Sequence, residues 1–295
     1  MNMGHNIGGS LKDAGATTIE EVLEHSKMNW EAEQHELITT AGVNVPTHKA
    51  LVRSDNNSVL GVVGTKYMPV QNSTAFAFMD ALVQAHKASY EYVYSLQGGS
   101  RMVVQAHIDG NFEVRKGDRI ASYITMMNSF DGSTPFKVFF TPIRLWCTNQ
   151  LGHAWRNKKE SISVRHTLNA ATRADEAFEV LCSAQKYFDR FKEQAQVLAT
   201  MQLDKKLVET FLTQVMGEGE STRKQNQIEE IRKLTNAGAG NNGSSLWDLY
   251  NGVTEFVDHG RIKDDEKRLT SAMVGSGATL KDKAWTAALR LADVN

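Results

Sequence analysis

Between Lys137 and His166 the charge of this chain departs from its average. The window holds Lys137, Arg144, Arg156, Lys158, Lys159 and Arg165 against Glu160 alone, six cations and one anion for a net of +5. Trp146, Trp155 and His166 are interleaved with them. Cations neutralise phosphates and rings stack on unpaired bases, so the combination has the chemistry of single-strand nucleic-acid binding. The competing reading is that both tryptophans are core and the lysines solvate a loop. The whole chain carries only −1, so affinity for a polyanion has to come from this patch.

Other chemistries find less support. Zinc needs three or four closely spaced ligands. The nine histidines contain no His-x-His or His-x-x-x-His pair, and Cys147 and Cys182 are 35 positions apart. There is no Gly-x-Ser-x-Gly elbow. "GSGATLK" (275–281) lacks the Gly-Lys-Ser/Thr ending of a phosphate loop and reads as a helix-starting turn. Asp258 and His259 are adjacent, so on a helix they point about 100° apart and read as a solvated helix end, not a dyad. The mixed charges of "KDDEKR" (263–268) read as wet surface. Cys147 follows Trp146 and reads as small buried packing. A metal-dependent nuclease would need a compact carboxylate cluster, and none is present. No catalytic residue, metal or cofactor is expected.

The elements that must position the basic window follow from periodicity. The Gly-rich residues 1–16 read as a mobile terminus. Thr18 and Glu21 fit a capping box opening a short helix over "IEEVLEHSKM". "NWEAEQHELITT" reads as an irregular strand, and "HKALVRSDNNSVLGVVGTK" as a hairpin around "SDNNS". Asn72 or Ser73 caps a helix with Phe76, Met79, Leu82 and Val83 inward. "YEYVYSLQGGSRMVVQAHI" is a hairpin about Gly98-Gly99, and "DGNFEVRKGD" a loop. "RIASYITMMN" and "FKVFF" pair around an Asp131-Gly132 turn. Phe136, Val138 and Phe140 share the core face; Lys137 and Phe139 point the other way, toward a partner. Thr141-Pro142 looks like a helix start that presents Arg144, with a buried ion pair as the rival role for that arginine.

From about 168 the pattern is helical. A long helix buries Phe178, Leu181, Phe188, Phe191 and Leu198. "DKKLVETFLTQVMG" and "QNQIEEIRKLTN" are two more. "AGAGNNGSS" (237–245) reads as a flexible segment. The helix "SLWDLYNGVTEFVDH" carries Leu246, Tyr250, Val253 and Val257 on one face, and should fold back on the 168–200 helix. "SGATLKDKAWTAALRLADV" closes the chain. The expected architecture is α+β: a mostly antiparallel sheet with helices in a core domain of residues 17–167, then a helical region of 168–295 packed on it. Two cysteines suit a reducing cytosol. No stretch approaches the ~20 apolar residues of a spanning helix, and no signal peptide is visible.

The segments "LGVVGTKYMPVQNSTAFAFMDALV", "SLQGGSRMVV", "MNSFDGSTPFKVFFTPIRLWCTNQL", "ISVRHT" and "LWDLYNGVTEFVDH" resemble a family of phage- and plasmid-borne proteins, also found in prophages and catalogued as a domain of unknown function. That resemblance implies mobile DNA, host cytoplasm, and DNA replication or recombination. The order hairpin, helix, meander, helix is also similar to the core of phage single-strand annealing proteins, which form rings or filaments and hold single-stranded DNA in a basic groove. The expectation is therefore a non-enzymatic protein that binds or anneals single-stranded DNA, with homo-oligomers and host or phage proteins as further partners. Its contacts would be Lys137, Phe139, Arg144, Trp155, Arg156, Lys158, Lys159, Arg165 and His166. The alternative is an interaction module that redirects a host replication or defence factor.

Overall fold

The computed structural model describes residues 8–10, 19–85, 88–144, 161–164, 184–219 and 221–294. They form an α+β protein with antiparallel strands mainly in the N-terminal half and helices in the C-terminal half, as expected. Two compact units divide them. One takes the described residues up to Asp109, with Tyr123–Phe140 and the strand 161–164. The other takes Gly110–Ser122, 141–144 and the described residues from Ala184 onward.

The described strands form two sheets. The larger has the order β1 (Gly8–Ser10), β5 (Ser89–Leu96), β6 (Arg101–Arg115), β7 (Asp118–Ser129), β8 (Phe136–Arg144), β9 (Ser161–Val164). The smaller is β2 (Ala32–Ile38), β3 (Asn44–Arg53), β4 (Val59–Gly64). Helix α1 is Ile19–His25 and α2 is Asn72–Ala85. The hairpins β3–β4 and β5–β6 fall where the turn residues place them.

Several boundaries differ from expectation. The terminus read as mobile contributes β1, paired with Tyr92–Tyr94 of β5. The stretch read as a loop, "DGNFEVRKGD", is instead the far end of the β6–β7 hairpin. Its turn is Lys116-Gly117, where Gly117 takes φ +82°. Thr141-Pro142 does not start a helix; β8 continues through Arg144. Among the described residues β9 pairs β8 from Phe136 to Phe139, so Pro142 lies beyond the stretch that bonds to β9.

Side-chain amides dock the small sheet. Gln71 donates from Nε2 to the Ala32 carbonyl (3.0 Å) and accepts from the Ala32 N–H (2.9 Å), standing in for a neighbouring strand. Asn72, expected as a helix cap, is buried and donates to the Met28 and Trp30 carbonyls. Arg53 lies 4.5 Å over the Trp30 ring and donates to the Gly98 carbonyl. A Cβ on Gly99, which has φ +100°, would sit 3.0 Å from both side chains. At the other contact, a Cβ on Gly61 would lie 2.6 Å from Asp131 Cα. Burial alone would raise the Asp131 carboxyl, but Ser133 and the Arg101 guanidinium at 3.0 Å hold it below its usual range. Tyr67 donates to the Ser129 carbonyl beside it. Three of the segments quoted above thus meet at one junction.

The second unit is helical: α3 (Ala184–Thr200), α4 (Lys205–Met216), α5 (Thr222–Ala237), α6 (Leu246–Glu255), a π-helical turn (Phe256–Gly260), α7 (Asp265–Val274) and α8 (Ser276–Leu291). Phe191, Trp247, Tyr250 and Trp285 form a ring cluster with centroids 5.0–6.3 Å apart. Val114 and Ile120 from the hairpin tip join this core. Helix α6 packs on α3, as expected, but it is not amphipathic in place: residues 246–254 are all buried. The 237–245 segment is no loose linker. Asp248 accepts from the backbone N–H groups of Asn242, Ser244 and Ser245, and Asn241 donates to the Leu234 carbonyl. Arg115 pairs with Asp248 and donates to the Gly240 carbonyl, while Trp247 Nε1 donates to Asp118 at 2.8 Å. "KDDEKR" lies at the surface as expected, with the exposed Asp264 capping α7. Asp258, read as solvated, is buried against Lys281 at 2.8 Å.

Candidate nucleic-acid interface

The larger sheet has two unlike faces. Helix α2 covers one of them, with Phe76 against Tyr90 (6.4 Å) and Phe78 edge-on to Phe136 (5.4 Å, 88°). A bulge at Glu91 then changes the side on which β5 presents its tyrosines. Tyr90 pairs with Ala106 but Tyr92 pairs with Gln105, so Tyr90 faces α2 while Tyr92 and Tyr94 face away. Tyr92 and Tyr94 stack at 6.1 Å and 17°. Tyr123 of β7 lies 6.5 Å from Tyr92, and His107 of β6 lies 5.3 Å from Tyr123.

A hydrogen bond fixes Tyr123 at the centre of this group. Tyr123 donates to Glu91 at 2.7 Å, and burial with that carboxylate pushes its hydroxyl pKa well up. Burial does the same to Tyr94. Both hydroxyls are neutral donors at any physiological pH. Gln105 donates to the Thr125 hydroxyl on the same face.

Strand alternation brings β8 into this arrangement. Phe136 touches α2, so Val138 and Phe140 share its side, and Lys137 and Phe139 lie on the tyrosine side. The expected division of β8 into two faces therefore holds. The exposure expected of Phe139 does not: it is 1% exposed and belongs to the core. Both sides of the strand are covered there, so this ring is not offered to a partner. Lys137 is half-buried on the same side. Arg144 ends β8. Trp155, Arg156, Lys158, Lys159, Arg165 and His166 lie outside the described residues, as do Trp146 and Cys147.

The tyrosine group was not among the sequence candidates. Its signal is "YEYVY", three tyrosines at alternate positions, which reads as one strand face. The bulge that divides them between two faces has no sequence mark. Among the described residues, no group of three or more His, Cys, Asp or Glu could hold a metal ion. No helix among them is long and apolar enough to cross a membrane.

The fold is thus an α+β scaffold whose larger sheet carries Tyr92, Tyr94, His107 and Tyr123 on the face opposite α2. The chain belongs to the family catalogued as a domain of unknown function, DUF932, whose model matches residues 59–278. No curated protein and no solved structure matches it.

Proposed function

We propose that the chain is a non-enzymatic DNA-binding protein of phage or plasmid type. It binds or anneals single strands during replication or recombination, and it works as a homo-oligomer in the host cytoplasm. One observation carries this reading: the sheet face opposite α2 sets the half-buried rings Tyr92, Tyr94 and His107, packed around the buried Tyr123, on the same side as Lys137. Strands β8 and β9 bracket the basic residues 145–160 in sequence. A ring surface continued by cations is the requirement for holding unpaired bases and their phosphates.

The test is the binding of a labelled oligonucleotide across salt. Affinity falls as salt rises, because phosphate contacts release counterions. Replacing a stacking ring costs ~1–3 kcal/mol per base, so Tyr92→Ala and Trp155→Ala each weaken binding about tenfold with an unchanged salt slope. The double variant Lys158→Ala/Lys159→Ala does the reverse, losing little affinity and flattening the slope. No binding at low salt would sink the reading. The alternative, a module that captures a host factor, then leads, and recovery of a stoichiometric host protein without DNA would select it.

A further inference from the structure

Five of the six exposed large apolar side chains among the described residues lie between positions 38 and 68: Ile38, Val43, Val59, Val62 and Met68. They belong to the small sheet and the loop after it. β4 pairs β3 only over His48–Val52, so the rest of the β2–β3 hairpin has no third strand. Residues 38–44 and 46–48 of this arm are exposed, and Ile38 and Val43 at its tip are 69% and 62% exposed. A two-stranded ribbon by itself is at best marginally stable in water. The tip is nonetheless well built: Thr39 N–H donates to the Val43 carbonyl, the Thr39 hydroxyl accepts from Val43 N–H, and Gly42 takes φ +77°.

The chemistry of the arm excludes a polyanion. "LITTAGVNVPT", residues 37–47, contains no charged side chain, so it has nothing to give a phosphate. Its uncharged counterpart is in the same sheet. "VLGVVG", residues 59–64, is β4, the opposite edge strand, with Val59 and Val62 exposed by 64% and 53%. Native proteins blunt edges with charges, proline or a covering group. Here the cover is local. Gln71 closes the outer edge of β2 at Ala32, but by the two-residue period Gln34 and Glu36 turn their backbone groups the same way, and no described strand pairs there. Pro46 blunts only the β3 side.

We propose that the β2–β3 arm of one copy docks along the outer edge of β4 of a second copy. Each copy carries both halves of the contact, one on each edge of one sheet. Unlike surfaces then meet, so copies add head to tail into a ring or filament rather than closing as a two-fold dimer. The inference rests on the assembly part of the proposed function and not on DNA binding, so it is tested without nucleic acid.

Molar mass is measured by light scattering over a concentration series. The wild type grows beyond a dimer. Ile38→Asp/Val43→Asp removes the arm, and Val59→Asp/Val62→Asp removes the edge; each variant alone is monomeric. Mixed together they form a one-to-one dimer and nothing larger, because one intact arm meets one intact edge. All four positions are exposed, and circular dichroism checks the fold; threonine replaces aspartate in any variant that melts early. A wild type that stays monomeric overturns the proposal. So does a mixture that remains monomeric, or variants that assemble like the wild type; one variant that still pairs by itself would indicate contact between like surfaces and overturn the proposal too.

Discussion

Asp258 and Lys281 are sealed together, each side chain 1% exposed, in the helical unit. Removing one partner leaves a buried charge without a counterion, which costs about 3–5 kcal/mol, whereas removing both is often neutral. Lys281→Met should therefore lower the urea midpoint strongly, and Asp258→Leu/Lys281→Met should recover most of the loss. Asp248 brings a dependence on pH. Burial alone would raise its carboxyl, but Arg115 and Ser245 hold it below the usual value of 3.8. A depressed folded pKa contributes stability above the unfolded value and loses it as pH falls through the folded one. The wild type should lose melting temperature in acid below about pH 4, and Asp248→Asn should lack that component. Pairs of this kind are poorly legible in sequence. The adjacency of Asp258 and His259 is visible, but the partner that matters is Lys281, 23 positions on. Arg115 and Asp248 are 133 positions apart.

Close approach between elements is concentrated at a few glycines. The matched pair on β4 is the cleanest test. A Cβ at Gly61 meets the Asp131 backbone, while at Gly64 it meets nothing within 4 Å. Gly61→Ala should cost about 1–3 kcal/mol by thermal melting, as overpacking usually does, and Gly64→Ala should be close to neutral. In the helical unit a Cβ on Gly252 of α6 would lie 2.5 Å from the Thr235 hydroxyl and 2.9 Å from the Ile231 carbonyl of α5. Gly252→Ala should destabilise by a similar amount. The hairpins β3–β4 and β5–β6 were legible because their turns carry chemical marks, "SDNNS" and Gly98-Gly99. The errors share one cause, which is that tertiary contacts overrode local punctuation. Thr141-Pro142 resembles a helix start but continues a strand. The glycines of 237–245 resemble a linker but are fastened by Asp248. The faces of β8 followed from alternation, whereas the burial of Phe139 depends on what covers its second face.

Across the whole molecule, the α+β division was legible from the change in periodicity near residue 168. The boundary between units was not, since the second unit recruits Gly110–Ser122 from the middle of the strand-rich half. Truncation after Ala237 should test how far the helical unit depends on its last helices. It removes Trp247, Tyr250 and Trp285 from the ring cluster, so the cooperative melting of that unit should be lost. Retained melting of the remaining helices would mean that the cluster is dispensable. The hairpin tip also imposes an order on biosynthesis. Val114, Asp118 and Ile120 leave the ribosome more than a hundred residues before Trp247, which donates to Asp118 from 129 positions away. Contacts of such separation form slowly. A nascent chain therefore displays a finished turn with an apolar flank that has nowhere to go, and this interval is when chaperones and premature self-association compete for it.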